Sequence, residues 1–236
     1  MTRPHRSPSP RTIAFGDIHG CLDHLDALLL AIEPTPKDHL VFLGDYIDRG
    51  PDSAGVLNRL ITLSKNLHVT TLLGNHEEMM LEARNDPDRL MEWLLNGGDA
   101  TLFSYGGKHG KFSDVPANHW HFLENNLVSY LETKSHIFVH ANVYPDLTME
   151  EQPDHMLRWE RCDESHRHFS RKIIICGHTP QRSNRPLVRD HLICIDTVAC
   201  RGGLLTAFDV TTGTFWQAPA EGPVTTAHLS DFEEKE

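Results

Sequence analysis

Three short segments of the chain place potential metal ligands directly after apolar runs. They are GDIHG at 16–20, GDYIDRG at 44–50 and GNHE at 74–77. Each follows a run typical of a buried strand, at Thr12–Phe15, Leu40–Leu43 and Val69–Leu73. Because an α/β sheet forms its ligand site at the carboxyl ends of strands, the three segments predict one shared site. Carboxylate, imidazole and amide oxygen are suitable ligands for divalent metal ions.

The candidate ligands are six side chains at predicted strand ends: Asp17, His19, Asp45, Asn75, His140 and His178. Asp17 and His19 alternate along an extended backbone, so both point to one side and could bind one ion together. Six ligands are more than one ion takes from protein when water and substrate also need places. We therefore predict two ions bridged by a carboxylate. Two ions about 3.5–4 Å apart can bind both the attacking and the leaving oxygen of a phosphoryl group.

Strands and helices alternate through the first third of the chain. Apolar residues at helical spacing predict helices over 22–32 and 56–63, and the βαβαβα order implies a largely parallel layer. We also predict helices at 90–95 and 116–126, strands at 128–131, 136–139, 172–176 and 192–195, and a hairpin over 204–216. The segment 144–171 is polar and predicted to be loop-like. The predicted fold is α/β, with two mixed β-sheets packed face to face and helices outside.

The same motifs carry a family resemblance. Five of them resemble the calcineurin-like metallophosphoesterase superfamily when taken in order: Asp17-Ile-His19-Gly20, GDYIDRG, GNHE, His140-Ala141 and Gly177-His178-Thr179-Pro180. The Asp48-Arg49-Gly50 and Asn75-His76-Glu77 elements are similar to the phosphoprotein-phosphatase family. Within it, the chain resembles the bacterial and phage serine/threonine phosphatases, whose likeness extends to the Trp93–Gly98 segment. The likeness covers roughly residues 12–210.

The resemblance implies a role for each ligand. Asp17 and His19 would hold the first ion and Asp45 would bridge, while Asn75, His140 and His178 would hold the second. Manganese is the activating ion that the resemblance favours, and oxygen and nitrogen ligands also admit iron, zinc or nickel. The bridged pair would lower the pKa of a bridging hydroxide that attacks phosphorus directly, in one step.

Four further residues would bind substrate or move a proton. His76 would protonate the leaving oxygen, because imidazole has an acid form near neutral pH, and Asp48 would favour its imidazolium. Arg49 would grip the phosphate, since a planar guanidinium fits two phosphate oxygens. A second phosphate-binding arginine belongs to a leucine-tryptophan-X-arginine element that is disturbed here. Anchoring that element on Trp159 selects Arg161, and Arg158 is the alternative.

Composition limits the classes of function and location. The formal net charge of −11 disfavours a binder of nucleic-acid polymers or anionic membranes. Five cysteines without a CxxC pair predict neither a disulfide framework nor a zinc knuckle, and favour the cytoplasm. No run is long enough to span a bilayer. We predict a disordered tail over 1–11, a metallophosphoesterase domain over 12–218 and a frayed acidic tail over 219–236.

These observations leave more than one substrate class open. The leading hypothesis is a metal-dependent phosphomonoesterase that acts on phosphoserine or phosphothreonine in proteins. The alternatives are a hydrolase of dinucleoside polyphosphates such as diadenosine tetraphosphate, or a small-molecule phosphatase. Residues 96–111 and 144–171 are predicted to shape the pocket that separates them. A non-catalytic regulator is disfavoured because no motif residue is missing, and the sequence makes no prediction of oligomeric state.

Overall fold

The computed structural model describes residues 10–232, and their strands form two mixed β-sheets with helices outside, as predicted. The strands are β1 Thr12–Phe15, β2 His39–Phe42, β3 His68–Leu72, β4 Leu127–Val128, β5 Tyr130–Glu132, β6 His136–Val139, β7 Ile173–Cys176, β8 Leu187–Val188, β9 Leu192–Cys194, β10 Leu205–Asp209, β11 Thr214–Ala218 and β12 Thr225–His228. The α-helices are α1 Leu22–Ile32, α2 Ser53–Asn66, α3 Asn75–Asn85, α4 Pro87–Trp93, α5 Asp99–Gly106, α6 Ala117–Asn125 and α7 Asp154–Arg158.

The larger sheet has the order β12-β11-β10-β1-β2-β3-β4. Strands β1, β2 and β3 are parallel, as the alternation of strands and helices predicts. The C-terminal hairpin β10–β11 completes this sheet by pairing antiparallel with β1. The smaller sheet has the order β5-β6-β7-β9-β8, with β6, β7 and β9 parallel. In both sheets, the candidate ligands therefore lie in loops that follow the carboxyl ends of parallel strands.

Alternate side chains of each strand face two different cores, as the pleat requires. In β1, Ile13 and Phe15 pack towards the helices, while Ala14 packs towards the smaller sheet. In β6, Phe138 packs against the same inner core as Val41 of β2. Both faces of these strands are thus buried, which explains their continuous apolar runs. Removing such a buried aromatic side chain typically costs about 3–5 kcal/mol of stability.

The chain changes sheet at Ser129. The sequence predicts one strand over 128–131, but the structure has β4 at the edge of the larger sheet and β5 at the edge of the smaller one. A single residue separates them, so one apolar run serves two sheets. The segment 144–171 is largely irregular, as expected, but it contains the short helix α7.

Both predicted tails need correction where the structure describes them. Arg11 is fixed to the domain, because its Nη2 lies 2.8 Å from the Asp38 carboxylate; residues 1–9 lie outside the described residues. The segment after Pro219 is not frayed throughout, since β12 pairs antiparallel with β11. Phe232 also packs on Phe215, with ring centroids 4.8 Å apart. Residues 233–236 lie outside the described residues. Within 10–232, no helix has the length and apolar character needed to cross a membrane.

Candidate metal centre and active site

Strand ends from both sheets meet at one edge of the molecule. Asp17 and His19 follow β1, Asp45 follows β2 and Asn75 begins α3 directly after β3. The smaller sheet supplies His140 after β6 and His178 after β7. These loops surround a pocket of about 280 Å³ whose lining includes five of the six candidate ligands. His140 is the sixth; it is fully buried and contacts Asn75 and Asp45, which do line the pocket.

The loops that carry these side chains have strained backbone. Five candidate site residues adopt left-handed φ angles, namely His19 (46°), Asp45 (53°), Asp48 (72°), Arg49 (68°) and His178 (59°). Such a conformation in a non-glycine residue costs of order 1–3 kcal/mol and persists only where surrounding contacts impose it. The strain therefore concentrates where the motifs predict chemistry.

Three histidines have one ring nitrogen fixed by a backbone carbonyl. His19 Nδ1 donates to the Ile47 carbonyl at 2.8 Å, and His140 Nδ1 donates to the Leu43 carbonyl at 2.9 Å. His178 uses the opposite nitrogen, since its Nε2 donates to the Trp159 carbonyl at 2.9 Å. In each ring the other nitrogen keeps its lone pair directed into the site. This is the arrangement by which proteins orient metal-binding imidazoles.

The free lone pairs converge on acidic and amide oxygens. His140 Nε2 lies 3.0 Å from Asn75 Oδ1 and 3.3 Å from Asp45 Oδ1. His178 Nδ1 lies 3.1 Å from the same Asn75 oxygen. Burial lowers the pKa of the His140 ring to about 4 and also lowers that of His178, so both rings are neutral near pH 7. These ring nitrogens and oxygens are all hydrogen-bond acceptors, so they repel one another unless a cation lies between them. The arrangement therefore fits a bound metal ion.

Asp45 faces both halves of the site. Its Oδ1 points to His140, while its Oδ2 lies 3.5 Å from His19 Nε2. One group of converging ligand atoms therefore contains Asp45, His140 and His178, and a second contains Asp45, His19 and His76. Within each group, all ligand atoms lie within 4.8 Å of one another. This geometry suits a carboxylate that is shared between two ions.

Asp17 lies at the same pocket but outside both groups. Its carboxylate accepts the His178 backbone N–H at 3.1 and 3.2 Å. Burial, followed by repulsion from Asp196 and Asp45, raises the pKa of Asp17 well above its ordinary value. Asp196 is also buried against the pocket, and burial with repulsion from Asp45 raises its pKa to about 6. Crowded carboxylates of this kind are stabilised when cations bind among them.

His76 differs from the other three histidines because its Nδ1 contacts a carboxylate. The Nδ1 donates to Asp48 Oδ2 at 2.7 Å, and Nε2 lies 3.9 Å from Asp45 Oδ2. Asp48 is fully buried and also accepts hydrogen bonds from Trp93 Nε1 at 2.9 Å and the Thr101 hydroxyl at 2.7 Å. Burial alone would lower the pKa of His76, but Asp45 and then Asp48 outweigh it and raise the pKa. The ring is thus disposed to carry a proton.

Arg49 reaches the site from a loop that rests on Gly97. Its Nη1 donates to His19 Nε2 at 2.7 Å, and its backbone N–H donates to the Gly97 carbonyl at 3.1 Å. Gly97 has φ of +107°, and a Cβ there would lie 2.7 Å from Arg49 Cγ. Only glycine meets both conditions. The glycine pair that interrupts the helix at 94–98 therefore positions a phosphate-binding candidate.

The two candidate second arginines have different environments. Arg161 is exposed, lines the pocket and lies 2.6 Å from the Asp163 carboxylate. Arg158 is buried and pairs with Glu78 and Asp154, each at 2.8 Å. Arg161 therefore reaches the pocket, whereas Arg158 connects α3 to α7.

Some residues of the site were missed at the level of sequence. Glu77 is fully buried, and its two oxygens accept the backbone N–H groups of Asp45 (2.9 Å), Tyr46 (2.7 Å), Ile47 (3.3 Å) and Gly74 (3.1 Å). Burial and then Asp45 raise the pKa of Glu77 to about 8, but four N–H donors favour its ionised form. Its place in the GNHE motif was the available signal. Arg201 and Asp196, which also line the pocket, gave no comparable signal.

Comparisons with known proteins agree with the fold and the motifs. Residues 10–195 match the model of the calcineurin-like phosphoesterase family. Serine/threonine-protein phosphatase 1 of Salmonella typhimurium is 34% identical over 206 residues, which cover 81% of this chain and 88% of the relative. A symmetrical bis(5'-nucleosyl)-tetraphosphatase of Acidovorax sp. is 41% identical over 111 residues, but these cover only 39% of each protein. The crystal structure of a putative diadenosine tetraphosphatase has a TM-score of 0.65 at 20% identity and covers 94% of this chain and 95% of its own.

Proposed function

The chain belongs to the calcineurin-like phosphoesterase family, and from this premise we propose that it is a serine/threonine protein phosphatase that uses two divalent metal ions. The observation that carries the proposal is the position of the Asp45 carboxylate, which faces a histidine in each half of the site at 3.3 and 3.5 Å. Similarity to the Salmonella phosphatase over 81% of the chain supports the substrate class.

The residues divide the work of phosphomonoester hydrolysis. Asp17 and His19 would hold one ion, Asn75, His140 and His178 the other, and Asp45 both. Two such ions would supply an activated water nucleophile and neutralise charge on the phosphoryl group. We propose manganese as the activating ion, with iron, zinc or nickel as alternatives that the same ligands admit.

Three side chains would act on the substrate itself. Arg49 and Arg161 enter the pocket lining, where their guanidinium groups would bind phosphoryl oxygens. His76 would donate its proton from Nε2 to the leaving serine or threonine oxygen. Asp48, at 2.7 Å from His76 Nδ1, would orient the ring and stabilise its charged form. Five free thiols support the proposal that the protein works in a reducing compartment, the cytoplasm.

A dinucleoside polyphosphate hydrolase is the second candidate, because the Acidovorax relative is 41% identical over the region that it shares. A groove beside Arg49 bears on the choice. Leu94, Phe103 and Lys108 line it, and Phe103 is 57% exposed. A nucleobase could stack on the Phe103 ring, whereas a phosphopeptide would lay its flanking residues along the groove. The same site could also serve a small phosphate ester that does not enter the groove.

The experiment compares turnover of a phosphothreonine peptide and of diadenosine tetraphosphate by manganese-loaded protein. His76→Asn, prepared identically, shows whether the activity belongs to this site. Rapid peptide turnover with weak nucleotide turnover is expected. The reverse preference would replace the proposal with the nucleotide hydrolase. Turnover of p-nitrophenyl phosphate alone would indicate a small-molecule phosphatase, and no turnover of any substrate would overturn the enzyme proposal.

A further inference from the structure

Three fully buried thiols meet behind the active-site loop. Cys176 and Cys194 end the neighbouring strands β7 and β9, where they are paired in register. Cys162 enters from the loop that follows α7. The three sulfur atoms all lie within 4.8 Å of one another, and each residue is completely inaccessible to solvent. Three segments that are separated in sequence thus place their Sγ atoms together, and these three sulfur atoms are the potential metal ligands of the cluster.

The three thiols belong to a buried apolar cluster of the smaller sheet and have several polar neighbours. Cys194 Sγ lies 3.2 Å from the Gly177 carbonyl and 3.4 Å from the Thr179 carbonyl. The Arg189 guanidinium donates to the Cys162 carbonyl at 3.4 Å. Hydrogen bonds from the Cys176 and Cys194 thiols, then from Thr179, hold the pKa of the Cys162 thiol well below its usual range. The same contacts with Cys162 raise the pKa of the Cys176 and Cys194 thiols well above theirs. Neighbouring donors and a cation thus favour thiolate character at one member.

We propose that Cys162, Cys176 and Cys194 form a third metal site, which takes a thiophilic d¹⁰ cation such as Zn²⁺ or Cu⁺. Thiolate is a soft ligand that selects such ions, whereas the catalytic pocket offers only harder oxygen and nitrogen donors at its two groups. Three thiolates suffice for Cu⁺. For Zn²⁺, the Gly177 or Thr179 carbonyl is close enough to Cys194 to offer an oxygen as a fourth ligand.

Such an ion would have a structural role and would stabilise the two loops that carry Arg161 and His178. Cys162 directly follows Arg161, and the same loop carries Trp159, whose carbonyl fixes the His178 ring. Cys176 lies two residues before His178 on β7. An ion that joins these cysteines would therefore tie the arginine loop to the strand that carries a catalytic ligand. The site needs no redox step, because the bound ion keeps its charge and displaces thiol protons.

The test titrates the full-length reduced protein with Cd²⁺ as a spectroscopic probe for this class of ion. Cadmium bound to thiolate gives an ultraviolet sulfur-to-metal charge-transfer band that oxygen and nitrogen ligands do not give. We expect the band to saturate at one thiolate-bound ion per chain, and competition titrations with Zn²⁺ and with Cu⁺ then measure the relative affinities of these ions for the site. Elemental analysis should show a third ion that Cys162→Ser lacks.

Cys200→Ser is the matched control, because Cys200 is half-buried and lines the catalytic pocket. The band should persist in Cys200→Ser and disappear in Cys162→Ser. Absence of the band in the wild-type protein, or its loss in Cys200→Ser alone, would overturn the proposal. If Cys162→Ser is unfolded by circular dichroism, Cys162→Ala replaces it, and the wild-type titration remains decisive. None of these readouts depends on phosphatase activity.

Discussion

At the scale of single residues, hydrogen-bond partners separate four buried or partly buried histidines into two roles. His19, His140 and His178 each donate to a backbone carbonyl and direct a lone pair into the pocket. His76 donates to Asp48 instead. A neutral carbonyl leaves an imidazole neutral and able to bind metal, whereas a carboxylate favours the protonated ring. The same side chain can therefore be a ligand or an acid in one pocket.

His76→Asn tests the acid role. We expect kcat on a phosphothreonine peptide to fall by about 10²–10³-fold, because an alkoxide leaves poorly without a proton. The loss on p-nitrophenyl phosphate should be much smaller, since its leaving group is stable as an anion. Steady-state kinetics on both substrates measures the ratio, and elemental analysis should find wild-type metal content. Equal losses on the two substrates would contradict general-acid catalysis.

Asp45→Asn tests the shared carboxylate. Loss of a negative charge that faces both histidine groups should weaken both metal sites, so we expect fewer than two ions per chain after dialysis. Asp26→Asn is the control, because Asp26 forms a partly exposed ion pair with Arg59 and is not part of the pocket lining. Unchanged metal content in Asp45→Asn would rule out the bridging role.

The sequence predicted that these side chains share one site, and the structure brings them together, but the sequence did not predict the geometry of their contacts. Strand-end motifs located Asp45, His140 and His178, because a sheet brings strand ends together. The choice between Arg158 and Arg161 depends on ion pairs with Glu78 and Asp154 that no spacing rule encodes. The thiol cluster was also missed, since a spacing rule for zinc looks for CxxC pairs.

At the scale of elements, Glu78 couples two parts of the site. It lies on α3, and its oxygens accept from Arg158 Nε at 2.8 Å and from Trp159 Nε1 at 2.6 Å. The Trp159 carbonyl in turn accepts from His178 at 2.9 Å. The position of His178, a candidate ligand that follows β7, thus depends on a helix that follows β3.

Glu78→Gln should loosen this connection, because an amide NH₂ would face the donors of Arg158 or Trp159. We expect metal affinity or kcat to fall by about 10–100-fold, the usual cost of losing an outer contact of a metal ligand. Metal titration and kinetics provide the measurements. Glu82→Gln, one turn further along α3 and exposed, is the matched control and should behave as wild type. Equal behaviour of both variants would show that the contact has no positioning role.

Gly97→Ala should disturb Arg49, whose Cγ would lie 2.7 Å from the new Cβ. A shifted guanidinium binds phosphate poorly, so we expect KM and the inhibition constant of inorganic phosphate to rise by about 10–100-fold. Gly107→Ala separates this effect from backbone strain. Gly107 also has a positive φ, of +61°, but a Cβ there meets nothing within 4 Å. A similar rise in both variants would attribute the effect to strain alone.

Element prediction succeeded where one pattern had one interpretation. The alternation of strand and helix fixed the parallel β1-β2-β3 layer. It failed at 128–131, because a short apolar run does not reveal that Ser129 passes the chain between sheets. Element prediction also failed at β12, because Thr225–His228 has little apolar character. This strand is held by its antiparallel pairing with β11, which the sequence pattern does not show.

At the scale of the whole molecule, the C-terminal segment is a structural part of the larger sheet. A chain that ends at Pro219 loses β12 and the Phe232 ring that packs on Phe215. We expect its free energy of unfolding to fall by about 1–3 kcal/mol, because fully burying a Phe side chain contributes about 1.5–3 kcal/mol and Phe232 is partly buried. Denaturant titration measures the change. Activity per folded molecule should persist, because β11 and β10 separate β12 from β1, the strand that leads to Asp17 and His19.

A chain that ends at Phe232 is the control for this truncation and should retain wild-type stability. Phe232→Ala in the full-length chain should show part of the loss. If the chain that ends at Pro219 is as stable as the control, the segment 220–232 contributes no stability to the fold. The sequence-based expectation of a frayed tail would then be correct.

The candidate site lies on a seam between two layers. Asp17, Asp45 and Asn75 follow strands of the larger sheet, while His140 and His178 follow strands of the smaller one. Neither sheet alone therefore carries all of the candidate metal ligands. If the site acts as proposed, a growing polypeptide would lack a complete set of ligands until the segment that carries His178 has been synthesised and has folded against the larger sheet. Bound ions would link the two sheets, so catalytic activity and the packing of one sheet on the other would be gained and lost together.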